Sequence, residues 1–246
     1  MFKNKTMIVT GGSNGIGKAI VEEAASLGAK VIILDIEMDK AQEVKESLSS
    51  YPVFTYKCDV AKTKEVENVL NQVIDEHGQI HVLINNAGIA SKEPIETLSE
   101  EEWDRVIAID LKGVYNTARI ILPHMKKYSY GRIVNMSSVA GKQGGGLLSK
   151  CAYAAAKSGV NGLTKCLARE GGPFGITVNA VCPGSFDTRI SGEMQGERLD
   201  AYLNSICLKR RGKVEEVSHV TLFLASDYAS YVTGEITDVD GGQVMD

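Results

Sequence analysis

Tyr153 and Lys157 stand four residues apart in AYAAAKSGV, residues 152–160. Small residues of good helix propensity predict a helix here, and positions i and i+4 of a helix share a face. A free tyrosine ionises near pH 10, too high for a base at neutrality. An ammonium ~4 Å away, at an effective dielectric of about 20, is worth about 4 kcal/mol, close to three pKa units. A tyrosine tuned in this way can take the proton of an alcohol while a hydride leaves the carbon, or return it to a carbonyl in the reverse direction. A tyrosine and a lysine at helical spacing are commonly just a solvated face, so the rest of the chain has to decide.

A second constellation is the run TGGSNGIG at 10–17, in which an apolar strand from Met7 enters a glycine-rich turn (Gly11, Ser13, Asn14, Gly15, Ile16, Gly17) and then the helical stretch 18–27. Glycines permit tight turning and close backbone approach, and a helix amino end offers unpaired N–H groups and a favourable dipole to a pyrophosphate. The spacing differs from GxGxxG, and by itself the run is also compatible with a purely structural turn. The next apolar run ends at Asp35, eighteen residues past Gly17. A carboxylate there accepts both hydroxyls of an adenosine ribose and repels a 2′-phosphate, which favours NAD over NADP. Asn14 and Ile36 are uncharged where an arginine would hold that phosphate. Asp59 and Val60, after the third apolar run, suit either the adenine edge or the cap of a helix beginning near Lys62.

Positioning these groups requires alternating elements. Short β-branched or apolar runs recur at 7–10, 31–34, 53–56, 82–84, 133–135, 176–181 and 236–239, with helical periodicity between them, as in Val66, Val69, Leu70 and Val73. Continuous apolar strands alternating with helices predict an α/β doubly wound Rossmann fold: a seven-stranded parallel sheet covered by helices on both faces. Ser99 and Glu102 have capping-box spacing and predict a helix from there to about Lys127. No repeat, linker or composition break divides the 246 residues, so one domain over 1–246 is expected.

These motifs together resemble the single-domain branch of the short-chain dehydrogenase/reductase family, including its 3-oxoacyl-carrier-protein reductase and sugar or polyol dehydrogenase types. The resemblance spans nearly the whole chain, through TGGSNGIG, Asp35, CDV at 58–60, NNAG at 85–88, NMSS at 135–138, YAAAK at 153–157, NAVCPG at 179–184 and VTGEITDVDGG at 232–242. It implies that Ser138 polarises the substrate carbonyl, that Tyr153 is the acid/base, and that Lys157 lowers the tyrosine pKa and binds ribose. Ser137 competes with Ser138 for that role, and alignment on NMSSVAG favours Ser138. It implies further that Asn86, Ala87 and Gly88 line the adenosine side, and that Pro183, Gly184, Phe186 and Thr188 hold the nicotinamide. The family's usual assembly is a homotetramer.

Two departures stand out. The family usually carries asparagine where this chain has Asp110, ahead of the LKG segment, to hold a water that links the lysine to solvent. An ionised Asp110 ~8 Å from the pair would raise the tyrosine pKa by opposing the lysine, worth about 2 kcal/mol, and shift the activity optimum alkaline. The loop between Ser138 and Tyr153 is long and carries three successive glycines, and it is expected to border the substrate. A lid is expected over about 187–212, with Arg189, Met194, Arg198, Leu199 and Tyr202. Its arginines, with Lys142 and Lys150, hint at an anionic or polyhydroxylated substrate.

Several classes are disfavoured. The net charge is −4, without a basic run, which argues against a nucleic-acid partner. The absence of a long apolar run argues against a membrane span. Five cysteines without a CxxC pair suggest reduced thiols in the cytoplasm, and no metal is expected: His77 and His81 straddle a helix end and a strand start without a third ligand. The expected activity is hydride transfer between NAD and a secondary alcohol or ketone. The alternatives are an NAD-binding sensor or scaffold without turnover, and an epimerase or dehydratase using bound NAD transiently.

Overall fold

In a computed structural model of the chain, residues 1–146, 149–186 and 196–245 are described, those at 197 and 198 by backbone alone. Seven strands form one wholly parallel sheet: β1 (Thr6–Thr10), β2 (Lys30–Asp35), β3 (Val53–Lys57), β4 (Val82–Asn85), β5 (Gly131–Met136), β6 (Ile176–Pro183) and β7 (Ile236–Val239). Their order is β3-β2-β1-β4-β5-β6-β7. Every apolar run read from the sequence is a strand, and the residues of β1, β4, β5 and β6 are buried throughout. Parallel strands need crossovers, and helices supply them. They are α1 (Gly15–Ser26), α2 (Met38–Ser47), α3 (Thr63–His77), α4 (Glu100–Asp110), α5 (Lys112–Lys127), α6 (Ala140–Gln143), α7 (Cys151–Gly171), α8 (Gly196–Asn204) and α9 (Val214–Leu224).

Alternate residues of the inner strands feed two cores. Met7, Val9, Val31 and Ile33 pack with α1, α2 and α9, including Ile20, Ala41 and Val217. Ile8, Ile32 and Leu83 face α3, α5 and α7, including Leu70, Ile121 and Leu167. Burying a side chain of this size is worth about 1.5–3 kcal/mol, so the two-sided burial is the main force holding the sheet.

The predicted helix from Ser99 to Lys127 is instead two. Ser99 caps it, its hydroxyl accepting the Glu102 N–H at 3.1 Å, but the Glu102 carboxylate closes on Arg105. The helix then turns at Leu111, with φ −114° and ψ −56°. Leu111 packs over Gly159 of α7, where a Cβ would come within 2.8 Å of its Cδ2. The bend leaves Asp110 aimed into the protein, with no exposed surface.

Candidate functional site

Successive strands leave β1 in opposite directions, toward β2 on one side and β4 on the other, which opens a crevice at their carboxyl ends. The residues that follow β1, β2, β3, β4, β5 and β6 converge there on one cavity of about 460 Å³.

Its first part is the glycine turn. Asn14 caps α1, its side-chain oxygen accepting the Gly15 N–H at 2.8 Å, and the first-turn N–H groups are those that a helix leaves without carbonyl partners. Gly11, at φ +64°, and Gly17 permit the close approach. A Cβ on Gly17 would fall 2.1 Å from the Gly11 carbonyl oxygen and 2.5 Å from Asn86 Nδ2, so no side chain fits. Asn86 Nδ2 donates to the Thr10 and Gly11 carbonyls at 3.0 and 2.9 Å. The Thr10 hydroxyl accepts the N–H groups of Asn86 and Ala87, both at 3.0 Å, so the loops after β1 and β4 are tied together.

Asp35 ends β2 on the same cavity. One carboxylate oxygen accepts the Ser13 N–H and the other the Glu37 N–H, each at 3.0 Å, which fixes the group while leaving lone pairs toward the opening. Asp59 and Val60 line the wall beside it. The Asp59 carboxylate accepts the Ala61 N–H at 3.0 Å, whereas the residue at the N-cap of α3 is Lys62. Asp59 therefore belongs to the turn and the cavity rather than to the helix cap. Ser13, Ile16, Gly88, Pro183, Gly184 and Phe186 line the cavity too. Thr188 lies outside the described residues, as do Arg189 and Met194 of the expected lid.

At the centre, α7 carries Tyr153 and Lys157 on one face, with the Lys157 ammonium 5.5 Å from the phenol ring centroid. The two serines after β5 separate cleanly. Ser137 Oγ donates to the Lys157 carbonyl at 3.1 Å and locks β5 to α7. The Ser138 hydroxyl accepts the Ala140 N–H at 3.1 Å and lies near enough to the Tyr153 phenol to favour its ionised form. Gly141 lets α6 lie against α7, since a Cβ there would meet the Lys157 carbonyl carbon at 2.7 Å.

Asp110 corrects the distance taken from sequence. It lies not ~8 Å away but 3.1 Å from Lys157 Nζ, as an ion pair whose alignment falls short of a good hydrogen bond. Its other oxygen accepts the Ile89 N–H at 2.9 Å, and Lys157 Nζ donates to the Met136 carbonyl at 2.9 Å. Burial pushes the Asp110 carboxyl upward despite Lys157. Burial acts on Lys157 in the opposite sense, but Asp110 and Tyr153 outweigh it, and the lysine stays above its ordinary value. Tyr153 also differs from expectation. Its half-buried ring opens on the cavity, but desolvation on its remaining sides raises the phenol above 10.0, Lys157 pulls it down, and Asp110 offsets part of that pull. The four-residue spacing on α7 gave no sign of the desolvation, whereas the opposition from Asp110 acts in the direction expected from the sequence.

At the opposite end of the cavity, sequence reasoning named the triple-glycine loop and Tyr202 and missed Gln243. Gln143, Ser149, Tyr202 of α8 and Gln243 of the carboxyl-terminal turn line that end, together with Gly145 and Gly146 of the triple-glycine loop. The loop was read as a border of the substrate, but nothing in the sequence marked Gln243. Lys142 does not face this space in search of an anion, since it pairs with Asp238 of β7 at 2.7 Å. Lys150 lies in a separate surface depression with Pro94, Ile95 and Glu96. His81 Nδ1 accepts the Thr6 N–H, His77 Nε2 meets the Tyr56 hydroxyl, and among the described residues no cluster could hold a metal. Nor is any described helix long and apolar enough to cross a membrane.

A family model described as enoyl-(acyl carrier protein) reductase matches residues 11–243. A 3-oxoacyl-(acyl-carrier-protein) reductase of Thermotoga maritima is 40% identical over 246 residues, covering 99% of each chain. An uncharacterised short-chain type dehydrogenase/reductase of Sinorhizobium fredii is 39% identical over 253 residues, covering 100% of this chain and 99% of its own. Among solved structures, that of levodione reductase superposes with a TM-score of 0.94 at 32% identity, covering 99% of this chain and 98% of its own.

Proposed function

The chain belongs to the short-chain dehydrogenase/reductase family and is an oxidoreductase that works with a nicotinamide cofactor; from that premise we propose that it interconverts a secondary alcohol and a ketone with NAD, through Tyr153, Ser138 and Lys157. The observation that carries the reading is one cavity joining a glycine turn with no room for a Cβ at Gly11 or Gly17, a carboxylate at the end of β2, and the Ser138–Tyr153–Lys157 cluster.

The cradle fits a dinucleotide. The turn Gly11–Gly17 and the α1 amino end suit the pyrophosphate, Asp35 suits an unphosphorylated adenosine ribose, and Asp59, Val60 and Asn86–Gly88 suit the adenine side. Pro183, Gly184 and Phe186, which line the same cavity, suit the nicotinamide side. When bound, NAD or NADH supplies the hydride acceptor or donor.

The protein's own part is proton handling and orientation. In the reductive direction the Tyr153 hydroxyl gives its proton to the carbonyl oxygen, while the Ser138 hydroxyl donates a hydrogen bond to that oxygen as charge builds on it. In the oxidative direction the Tyr153 phenolate takes the alcohol proton. Lys157 holds its positive charge beside the phenol and so favours the phenolate. Asp110 acts through Lys157 and is a positioning residue.

Tyr153→Phe tests the reading. Cofactor affinity is expected to persist while turnover falls by about 10³-fold, within the usual range for a general acid/base. Full activity in the variant would refute it. We further read residues 1–246 as one domain, cytoplasmic and homotetrameric. Exposed Tyr115 on α5 and Phe223, Tyr228 and Tyr231 near the carboxyl-terminal segment support the assembly, and a monomer in light scattering would oppose it.

A further inference from the structure

Among the described residues, the substrate end of the cavity carries amides and hydroxyls and no charged group. The ionisable acids and bases among its described lining residues, tyrosines aside, are Asp35, Glu37 and Asp59, at or just beyond the ends of β2 and β3, and the mutually paired Asp110 and Lys157 beneath Tyr153. Beyond Ser138 the polar groups include the amides and hydroxyls of Gln143, Ser149, Ser185, Tyr202 and Gln243. A carboxylate or phosphate brought into this part would lose hydration without meeting a counter-charge among those groups, which is costly.

Gln243 is placed by construction rather than by chance. Its turn is stiffened by Asp240, whose two carboxylate oxygens accept the N–H groups of Gly242 at 2.8 Å and Val244 at 2.7 Å. The Leu208 N–H donates to the Gly241 carbonyl at 3.0 Å, fastening the turn to the segment after α8. The turn lies directly on Gly184, where a Cβ would stand 2.7 Å from Asp240 Cβ and 3.2 Å from Gln243 Oε1. The Tyr202 hydroxyl donates to Gln243 Oε1 at 3.2 Å. That bond uses the amide's acceptor, so the NH₂ group is what Gln243 has to offer, and the Tyr202 oxygen keeps lone pairs beside it. One donor next to one acceptor is the complement of a hydroxyl group, and the donor alone serves a carbonyl.

We infer that Gln243, oriented by Tyr202, is a specificity-determining residue that binds a second oxygen, hydroxyl or carbonyl, on an uncharged ketone or alcohol substrate. This rests on reading Ser138 and Tyr153 as the reacting end of the cavity.

The test uses three probes of matched size: a cyclic monoketone, the same ring with a hydroxyl opposite the carbonyl, and the same ring with a carboxylate there. Their affinities are measured by calorimetry on the cofactor-saturated Tyr153→Phe protein, which reads recognition without turnover. Turnover of the same probes by the unaltered enzyme tests the reading itself. The hydroxyketone is expected to bind on the order of tenfold more tightly than the monoketone, the worth of one net hydrogen bond, and the keto acid most weakly. Adding Gln243→Leu is expected to bring the hydroxyketone-to-monoketone ratio to about one, and Tyr202→Phe, which frees the amide to rotate, to lower it by a smaller factor. Preference for the keto acid, no advantage for the hydroxyketone, or a ratio unchanged in both variants would overturn the inference. If the probes bind in the expected order and none turns over, the catalytic reading fails and the recognition site stands.

Discussion

Asp110→Asn separates charge from shape at the most unusual contact in the site. Asp110 Oδ2 is 3.1 Å from Lys157 Nζ, which is 5.5 Å from the Tyr153 ring centroid. The carboxylate therefore lies within about 9 Å of that ring, and a unit charge at such a range and an effective dielectric of about 20 is worth about 2 kcal/mol, or somewhat more than one pKa unit. Asparagine keeps the acceptor for the Ile89 N–H and removes the charge, so the phenol should ionise about one pH unit lower. The assay is the pH profile of kcat/KM for alcohol oxidation, in which activity rises as the base deprotonates. The acidic limb should move down by about one unit. The same substitution leaves a buried lysine without its counter-ion, at a cost of about 3 kcal/mol, so Tm should fall by roughly 6–12 °C. A limb that stays in place or moves up, in a variant with the lowered Tm, would refute the claim that Asp110 offsets Lys157 at the phenol.

The remaining expectations address cofactor and stability. Asp35→Ser removes a negative charge at the adenosine end, and the NADP-to-NAD ratio of kcat/KM should rise roughly a hundredfold; an unchanged ratio would show that Asp35 does not set the preference. Gly17→Ala drives a methyl group against the Gly11 carbonyl and Asn86, so thermal unfolding should show a loss of about 1–3 kcal/mol and cofactor titration a large drop in affinity. Glu216 is held at about 2 by the two hydrogen bonds from Arg210 and by the Lys213 N–H, against an ordinary value of 4.5. A depressed carboxyl contributes stability above its ordinary range and loses it as pH falls toward 2. Any advantage of the unaltered protein over Glu216→Gln in unfolding midpoint should therefore shrink through that window, and a constant difference would contradict the assignment.

Residue order alone specified the sheet and brought forward most of the residues proposed for the cofactor half of the site. Seven apolar runs with helical periods between them leave little choice but a covered parallel sheet, because backbone hydrogen bonding and two-sided burial are local consequences of residue order. The glycine turn, Asp35 and the Tyr153–Lys157 pair were legible for the same reason, each being set by spacing along one or two elements. The features that local pattern does not encode arise where separate elements meet. Leu111 packs over Gly159, turns the α4–α5 helix and sends Asp110 to Lys157, so a distance taken as ~8 Å becomes a 3.1 Å ion pair. Ser137 and Ser138 are adjacent in sequence, but beyond the end of β5 one side chain turns to the Lys157 carbonyl and the other toward Tyr153. Gln243 reaches the cavity through a turn that closes on Gly184, a contact between β6 and the end of the chain that no local pattern encodes. Periodicity fixes which face a side chain occupies, whereas the field at Tyr153 depends on charges brought close by packing, and these are neighbours in space alone.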